Sequence, residues 1–395
     1  MRSPAIDGAM MREPPFSLLP RPRPMPLRGV RVLVLGLGDT GLAVARWVRR
    51  EGGTPRVADT RAAPPRQADY VGELHGGPFQ PKLLEGIDLV CVSPGLSLAE
   101  PVVREAVQRG IPVLGDVELF AWHSRTKVLA VTGTNGKSTV TALTGHLLRS
   151  AGIDCEVAGN IGPPVLEALL RRSAPPAAWA LELSSYQLET TWSLEPAAAT
   201  MLNLSEDHLD RYAGLDEYGA AKARVFAGSG TQVLNRGDAR SLAMARPGRT
   251  VVSFGLDAPP TGRDFGLSGQ TLVEGSHAIV EARALNIHGA HNLANALAAV
   301  ALARAAGVPR EALAAGLLSF TGLPHRLQHV ARRQGVDWYD DSKGTNVGAT
   351  VAALAGLNRR TVLILGGDGK GQDFSPLREP AGRLAAPGQR IGRDA

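Results

Sequence analysis

The sequence predicts an α/β protein in which two nucleotide-binding-type domains are followed by a third, incomplete one. Two apolar strands rich in β-branched residues, at 31–35 and 127–131, each lead into a glycine-rich loop and then into a helix pattern. Repeated alternation of strands and helices is typical of a parallel, doubly wound sheet. At 395 residues the chain is too long for one compact core, so two or three domains are expected.

The order of elements follows from the hydrophobic pattern. Residues 1–28 contain seven prolines and no apolar periodicity, so a disordered extension is expected there. A first domain is expected at residues 29–124. Its predicted strands are 31–35, a strand that ends at Asp59, 89–92 and 112–114.

Two further domains are predicted downstream. A central domain is expected at residues 125–322, with strands at 127–131, 179–183, 199–202 and 231–234, hairpins between 262 and 287, and an alanine-rich helix at 292–306. The last domain, residues 323–395, shows strands at 338–339 and 361–365 and a helix from Asn346. Its pattern ends near Leu377, so this domain is expected to be incomplete.

Composition argues against several classes of protein. With 44% hydrophobic and 20% charged residues the chain can build a core, and no apolar run approaches the ~18 residues of a membrane span. Of the net charge of +6, residues 1–28 carry +3 and residues 378–395 carry +2. Because a nucleic-acid footprint needs basic residues clustered on a folded face, we exclude that function. Two cysteines do not suggest a disulfide framework, which predicts a reducing, cytoplasmic setting. Separately, the protein is expected to be a monomer.

The first glycine-rich loop matches a dinucleotide fingerprint. Gly36, Gly38 and Gly41 are spaced as G-x-G-x-x-G, and Asp59 ends the next strand. Such a loop can bind NAD or FAD, another nucleotide, or nothing. A nicotinamide-dependent dehydrogenase would use this loop but would leave the second glycine-rich loop without a role.

The second loop is a more specific signal. Its sequence is Gly133-Thr134-Asn135-Gly136-Lys137-Ser138-Thr139, and it lies between a strand and a helix. Loop N–H groups and the lysine can hold the β- and γ-phosphates, while a hydroxyl of Ser138 or Thr139 can bind Mg²⁺. The strict Walker pattern requires glycine where this chain has Val131. The strand–loop–helix context nevertheless predicts an ATP site.

Lysine is scarce in this chain. Only six of the 43 basic residues are lysine, which are Lys82, Lys127, Lys137, Lys222, Lys343 and Lys370. Since arginine serves as the general surface cation, a retained lysine is expected where a compact or deprotonatable amine is needed. Chance survival of these lysines is the alternative.

The chain resembles the Mur ligases, the ATP-dependent amide ligases of peptidoglycan synthesis, and within them the branch that adds D-glutamate. Matching segments occur in the family's order and cover about residues 29–377. They are 36–41, 59–61, 93–95, 132–139, 159–162, 181–188, 206–212, 221–224, 291–292, 322–326, 341–346 and 366–370. The resemblance implies a Rossmann-like N-terminal domain, a central P-loop ATPase-type domain and a Rossmann-like C-terminal domain.

The resemblance also implies a reaction and its residues. D-glutamate would be joined to UDP-N-acetylmuramoyl-L-alanine through an acyl phosphate, with ATP, two Mg²⁺ sites and CO₂ that carbamylates Lys222. Implied substrate-binding residues are Asp39, Thr40, Thr60, Arg61, Ser93, Gly95, Asn160, His208, Thr345 and Lys370. Implied ATP-binding residues are Gly133, Thr134, Asn135, Gly136, Lys137, Ser138, Thr139, Asn292, Arg326 and Asp341. Implied metal ligands are Ser138, Glu182, His208 and carbamylated Lys222, and implied catalytic residues are Lys137, Glu182, His208, Lys222, Lys343 and Lys370.

Structural alternatives remain open for several of these residues. Thr40, Ser93 and Asn292 could cap helices or turns, Glu182 could be a solvated edge carboxylate, and His208 could equally be a core histidine. The alternative for the whole chain is a UDP-sugar- and ATP-binding remnant without catalysis, because the last domain is expected to be incomplete.

Overall fold

The structure, a computed structural model, describes residues 19–208, 211–357, 359–367, 369 and 372–391. The chain divides into two compact units, with the boundary between Gly115 and Asp116. The helix over residues 116–123 and the described residues beyond 322 therefore belong to the second unit, whereas the sequence pattern placed boundaries after residues 124 and 322. The predicted domain bounds, 29–124, 125–322 and 323–395, stay a prediction.

The first unit is a parallel sheet with helices. Its elements are β1 (Arg31–Leu35), α1 (Asp39–Arg50), β2 (Thr54–Asp59), β3 (Leu74–Gly76), β4 (Leu89–Val92), α2 (Pro101–Gln108) and β5 (Val113–Leu114). The strand order is β3-β2-β1-β4-β5, and all four pairings are parallel. The direction of winding reverses between β1 and β4, which is where doubly wound sheets bind ligands at the carboxyl ends of their strands.

Part of the predicted N-terminal extension is packed. Residues 1–18 lie outside the described residues. Residues 19–28 form no helix or strand, yet Leu19 and Leu27 are buried. The apolar side chains at these two positions therefore make residues 19–28 part of the packed structure, which the high proline content concealed.

The second unit contains a nine-stranded sheet in the order β14-β13-β12-β11-β10-β9-β6-β8-β7. Its strands are β6 (Lys127–Thr132), β7 (Cys155–Gly159), β8 (Ala178–Glu182), β9 (Ala198–Met201), β10 (Thr231–Asn235), β11 (Val251–Phe254), β12 (Phe265–Ser268), β13 (Thr271–Glu274) and β14 (His277–Glu281). Its helices are α3 (Asp116–His123), α4 (Lys137–Ser150), α5 (Val165–Arg171), α6 (Ser185–Glu189), α7 (Leu215–Ala223), α8 (Ala239–Leu242), α9 (Ala290–Ala306) and α10 (Arg310–Ser319). The sheet is parallel from β7 to β12 and antiparallel from β12 to β14.

Helix α9 lies in the core of this unit. Eleven of its 17 residues are buried, and they lie on several sides of the helix. A helix that is apolar all round belongs in a protein interior, and its many alanines allow close packing. It shares one core cluster with α4 and with strands β6, β8 and β9. This packing fixes α4, whose first residue is Lys137.

The chain beyond α10 forms two small sheets. Its elements are β15 (Gln328–Arg333), β16 (Val336–Asp340), α11 (Val347–Leu357), β17 (Thr361–Gly366), α12 (Arg378–Leu384) and β18 (Ala385–Ile391). Strand β15 pairs antiparallel with β16, and β17 pairs parallel with β18. The sequence pattern missed β15 because polar and basic residues dominate it. It missed α12 and β18 because Pro380 and Pro387 interrupt their patterns.

A buried carboxylate fixes helix α3 to the segment after α6. Glu118 is fully buried and accepts four hydrogen bonds. The donors are Trp122 Nε1 at 2.8 Å, Trp192 N at 2.6 Å, Ser193 N at 2.8 Å and Ser193 Oγ at 2.6 Å. With all four donors satisfied, the burial of this charge is compensated.

Glu118→Ala should lower the free energy of unfolding of the second unit by about 3 kcal/mol or more, because buried donors lose their acceptor. Urea titrations followed by ¹⁹F NMR of fluorotryptophan at Trp122 and Trp192 would measure it. Asp216→Ala is the control, since the Asp216 side chain is 94% exposed where it pairs with Arg240; its effect should stay within about 0.5 kcal/mol. Equal effects of the two variants would contradict the role of Glu118.

Candidate functional site

The candidate site lies at the carboxyl edge of the nine-stranded sheet. The phosphate loop, residues 133–136, connects β6 to α4. Strand β6 lies between β8 and β9, so the ends of these neighbours, Glu182 and Met201, flank the loop. Ligands of parallel sheets bind at this edge, where loops and helix N-termini meet.

Glycine is required at both ends of the phosphate loop. Gly133 has φ 145° and Gly136 has φ 85°, a backbone region that side chains disfavour. A Cβ on Gly136 would lie 2.4 Å from Asn295 Oδ1. The N-cap residue of α4 is Gly136, which has no side chain to bind the first N–H groups of the helix. The positive end of this helix therefore faces the place where an anion would bind.

One asparagine side chain and the backbone of a serine shape the loop from outside. Asn203, just beyond β9, accepts from Asn135 N at 2.9 Å and donates from Nδ2 to Asn135 O at 3.1 Å. Thr134 Oγ1 donates to Ser205 O at 3.2 Å and accepts from Ser205 N at 3.1 Å. The loop is thus preorganised by the strand next to it.

Two lysines, the half-buried Lys137 and the fully buried Lys222, bind the same carbonyl oxygen. Lys137 Nζ donates to Gly133 O at 3.0 Å and to Thr134 O at 2.8 Å, and Lys222 Nζ donates to Gly133 O at 2.8 Å. Lys222 is 1% exposed and lies 4.4 Å from the centre of the Tyr218 ring. Burial lowers the pKa of Lys137, and burial together with the charge of Lys137 lowers the pKa of Lys222 well below its usual value. The Lys222 amine is therefore favoured in its neutral, nucleophilic form.

Glu182 has the chemistry of a metal ligand. It is 2% exposed; its Oε1 accepts from Asn160 Nδ2 at 2.6 Å, and its Oε2 is buried with no hydrogen-bond partner among the described residues. This burial removes the alternative of a solvated edge carboxylate. Within the described ranges no three His, Cys, Asp or Glu side chains converge on a metal site. One carboxylate and the buried Ser138 hydroxyl fit Mg²⁺, which completes its coordination with phosphate oxygens and water.

His208 lies beside a group of tyrosine rings. Its ring centre is 4.9 Å from that of Tyr186 and 5.9 Å from that of Tyr218, and Tyr212 packs against both tyrosines. Its side chain is 35% exposed, which argues against a core histidine, and its φ of 56° is unusual for a residue other than glycine. Asp207 Oδ2 lies 3.7 Å from His208 Nε2. The imidazole is therefore half-exposed and lies beside a carboxylate at the end of the segment that follows β9.

Of the predicted residues from α9 and from the chain beyond α10, Arg326 contacts the start of α4. Arg326 Nη2 donates to Ser138 Oγ at 2.7 Å. Asn292 is buried and donates from Nδ2 to His288 O at 2.9 Å, and no side-chain cap bond is made at the start of α9, so the cap alternative for Asn292 fails. Asp341 accepts from Leu327 N at 2.9 Å, and burial raises its pKa.

The remaining predicted residues of this unit are placed as follows. Thr139 is buried in α4, and Lys343 and Thr345 are exposed in the loop between β16 and α11. Asn160 is exposed and bound to Glu182 through both backbone and side chain. Lys370 lies outside the described residues.

In the first unit the carboxylate that ends β2 is already committed to protein groups. Asp59 Oδ2 accepts from Leu37 N at 2.7 Å and from Arg61 Nη2 at 2.7 Å, while Oδ1 accepts from Arg61 N and Nε. Hydrogen bonds from Arg61 lower the pKa of Asp59 to about 2. A dinucleotide site needs this carboxylate for ribose hydroxyls. The geometry instead presents the half-exposed Arg61 guanidinium, which suits an anion.

The other predicted residues of the first unit surround its glycine-rich loop. Ser93 Oγ donates to Gly36 O at 3.3 Å, so the hydroxyl joins the ends of β1 and β4. A Cβ on Gly41 would lie 1.8 Å from Gly36 O, which requires glycine there. Asp39 accepts from Arg66 Nε at 2.5 Å. Thr40 is half-buried, and Thr60 and Gly95 are exposed near the same edge.

Sequence reasoning missed three groups that the structure brings to the phosphate loop: Asn203, Asp207 and Asn295. Asp207 acts electrostatically on both lysines. Asn203 directly follows a buried strand, and a polar residue there is expected at the ligand edge of the sheet. Asn295 lies one turn after Asn292 and donates to its Oδ1 at 3.2 Å. Asn203 could have been found from its place after a strand, and Asn295 from its spacing of one helical turn from Asn292.

Comparison with known families accounts for both units. Residues 30–115 match the family model "Mur ligase MurD-like, N-terminal domain", and residues 131–303 match the Mur ligase middle domain. A UDP-N-acetylmuramate-alanine ligase structure from Thermotoga maritima aligns at TM-score 0.61 over 92% of this chain and 90% of that one, at 18% identity. That likeness concerns the fold alone. No helix among the described residues has the length and apolar character needed to cross a bilayer.

The chain belongs to the Mur ligase family. Within the family it shares 53% identity with the UDP-N-acetylmuramoylalanine–D-glutamate ligase of Thiobacillus denitrificans, over 93% of this chain and 83% of the relative. It shares 52% with the ligase of the same name from Nitrosospira multiformis, over 94% and 83%. The predicted resemblance to the D-glutamate-adding branch is confirmed, and the three-domain Mur ligase fold class with it.

Gly136→Ala should weaken Mg-ATP binding at least about tenfold, because the new Cβ meets Asn295 and the backbone is left-handed there. Titration calorimetry would measure the affinity. Gly262→Ala is the matched control, since a Cβ there meets nothing within 4 Å. Unchanged affinity in Gly136→Ala would contradict the placement of the nucleotide on this loop.

Asp59→Asn should destabilise the first unit by about 1–2 kcal/mol at pH 7. The folded pKa of about 2 lies below the ordinary 3.8, so the carboxylate stabilises the fold above pH 4 and loses this effect as the pH falls towards 2. Urea titrations of both proteins at pH 7, 4 and 3, read from fluorotryptophan at Trp47, should give a difference that shrinks at pH 3. A difference independent of pH would exclude this ionisation as its cause.

Proposed function

We propose that the chain joins D-glutamate to UDP-N-acetylmuramoyl-L-alanine at the cost of ATP, in peptidoglycan precursor synthesis. The observation that carries this proposal is the phosphate loop with two lysines on one carbonyl, one of them fully buried, beside a buried carboxylate oxygen. The names of relatives at 52–53% identity support the substrates. The cytoplasm, where ATP is available and both buried cysteines stay free, is the proposed location.

Activation of the substrate carboxylate is the first step. That carboxylate attacks the γ-phosphate, which gives an acyl phosphate and ADP; the amine of D-glutamate then attacks the acyl carbon, and phosphate leaves. Loop N–H groups, Lys137 and the N-terminus of α4 hold the phosphates in line for transfer. Arg326 lies within reach of the same phosphates through its contact at Ser138. Asn292 and Asp341 are proposed to bind adenine and ribose.

Glu182 and Ser138 would hold one Mg²⁺, and His208 with carbamylated Lys222 would hold a second. Bound there, Mg²⁺ supplies neutralisation of the charge on the transferring phosphoryl group. Glu182 Oε2 would gain the partner that the described residues do not provide. Asn160, which donates to Oε1, would keep the carboxylate oriented.

Lys222 is proposed to react with CO₂. Its neutral amine attacks the carbon of CO₂, the new N–C bond forms a carbamate, and one proton passes to solvent. The product is an anion within a site that contains the Lys137 ammonium. Arginine could not do this, because a guanidinium stays protonated. A buried amine with a lowered pKa supports this proposal.

The two ends of the substrate are assigned to different parts of the chain. The diphosphate and uridine would be held by Thr40, Thr60, Arg61, Ser93 and Gly95 with Asp39, and the end nearest ATP by Asn160 and His208. The exposed Lys343 and Thr345, together with Lys370, would face the acyl phosphate and D-glutamate. Cationic and hydroxyl groups suit these anionic partners.

The proposed function is tested by phosphate release from Mg-ATP that requires both UDP-N-acetylmuramoyl-L-alanine and D-glutamate. In bicarbonate-free buffer the activity should fall and return on addition of bicarbonate. Lys222→Arg should lower kcat at least about 100-fold and lose a ¹³C carbamate resonance that the parent protein shows with ¹³C-bicarbonate. Lys82→Arg, at an exposed lysine, is the control and should keep both.

Two outcomes would contradict these assignments. Binding of both nucleotides by the parent protein without glutamate-dependent phosphate release would remove the ligase function. Full activity of Lys222→Arg at every bicarbonate concentration would remove the carbamate while leaving the ligase function in place.

A further inference from the structure

The chain beyond α10 touches the phosphate loop through an asparagine side chain. Asn346 Nδ2 donates to Asn135 Oδ1 at 2.9 Å, across 211 residues of sequence. Asn346 is 9% exposed, so this amide hydrogen bond is shielded from water. The nearby Gly348 lies close to the same side chain, since a Cβ there would be 3.4 Å from Asn135 Nδ2.

Asn346 has a second, separate hydrogen bond. It immediately precedes α11, and its Oδ1 accepts from Ala349 N at 2.8 Å. This is the N-cap geometry, in which a side-chain oxygen binds the third N–H of the helix. The two ends of one amide are therefore used differently: the oxygen caps α11, and the nitrogen binds the phosphate loop.

Three polar atoms of Asn135 bind protein groups. Its N–H and carbonyl both pair with the side chain of Asn203, and its side-chain oxygen accepts from Asn346. Three asparagines thus form one continuous chain of hydrogen bonds from the end of β9, through the phosphate loop, to the start of α11. In this arrangement the side chain of Asn135 is directed at Asn346 and serves to join segments of the protein.

We propose that Asn346 is a positioning residue that fixes α11 and the preceding loop on the phosphate loop through Asn135. Lys343 and Thr345 lie within three residues of Asn346, so this hydrogen bond sets their position relative to the phosphates held by the loop. The consequence for catalysis rests on the proposed function. The connection itself is a property of the fold and can be tested without turnover.

Asn346→Ser separates the two roles of the side chain. Serine is a good N-cap, but it is too short to donate to Asn135. Asn346→Ala removes both roles, and Asn135→Ala removes the partner. Asn286→Ser is the matched control, because Asn286 Nδ2 also donates one hydrogen bond, to Leu318 O at 2.8 Å, away from the loop.

Hydrogen exchange of residues 341–350 and 133–139 is the first readout. Asn346→Ser and Asn135→Ala should each raise exchange of both segments at least about fivefold, and the double variant should exchange no faster than either single one, because the same contact is lost once. Asn286→Ser should leave both segments unchanged. Asn346→Ala should in addition lower the Tm, whereas Asn346→Ser should keep it. Unchanged exchange in Asn346→Ser, or additive effects in the double variant, would overturn the proposal.

Steady-state kinetics provide the second readout. Asn346→Ser should lower kcat at least about fivefold while the Kd for Mg-ATP changes less than about twofold, since the loop still binds the phosphates. Parent-like kcat in Asn346→Ser would overturn the positioning role. If the parent protein releases no phosphate but the exchange results hold, the ligase function fails and the connection between the segments stands.

Discussion

One carbonyl oxygen, that of Gly133, organises the candidate site. The half-buried Lys137 and the fully buried Lys222 both donate to it, and the pKa of each lysine is lowered there. The loop backbone at this carbonyl has a φ of 145°, which glycine allows. Strand β6, which leads into the loop, lies inside the sheet and so places the carbonyl in the protein interior. Two amines placed so close disfavour double protonation. The site is thereby prepared for an anion, which the phosphates of a nucleotide and a carbamate would both supply.

Much of the site could be predicted because its residues follow the ends of strands. The phosphate loop and Glu182 directly follow or end apolar runs, and the family resemblance supplied roles for Lys222 and His208. The contacts of Asn135 could not be predicted in this way. Asn203 and Asn346 lie 68 and 211 residues away from it, and a lone asparagine carries no periodic signal. Asp59 fits a cofactor fingerprint, for which the sequence left several ligands open, whereas its carboxylate binds Leu37 N and the Arg61 guanidinium.

The fold was predicted most accurately where burial is complete. Strand β4 matches its predicted bounds, and β1, β6 and β8 differ by at most one residue, because all four are nearly continuous apolar runs. Prediction was weaker for two other strands: β15 is mostly exposed and alternates little, and β18 contains proline and glycine. The boundary between the compact units at Gly115 lies before the predicted domain bound at residue 124, and α3 is apolar and acidic without a linker composition around it. Its attachment to the second unit depends on Glu118 and the distant Trp192 and Ser193.

The asparagine pairs across the phosphate loop have a consequence for synthesis of the protein. A ribosome adds about 5–20 residues per second, so several seconds separate Lys137 from the emergence of Asn203. Until then, a nascent chain carries the loop sequence without the side chain that holds its backbone in shape. Ordering of the loop by Asn203 therefore begins only when about half of the 395 residues have been made.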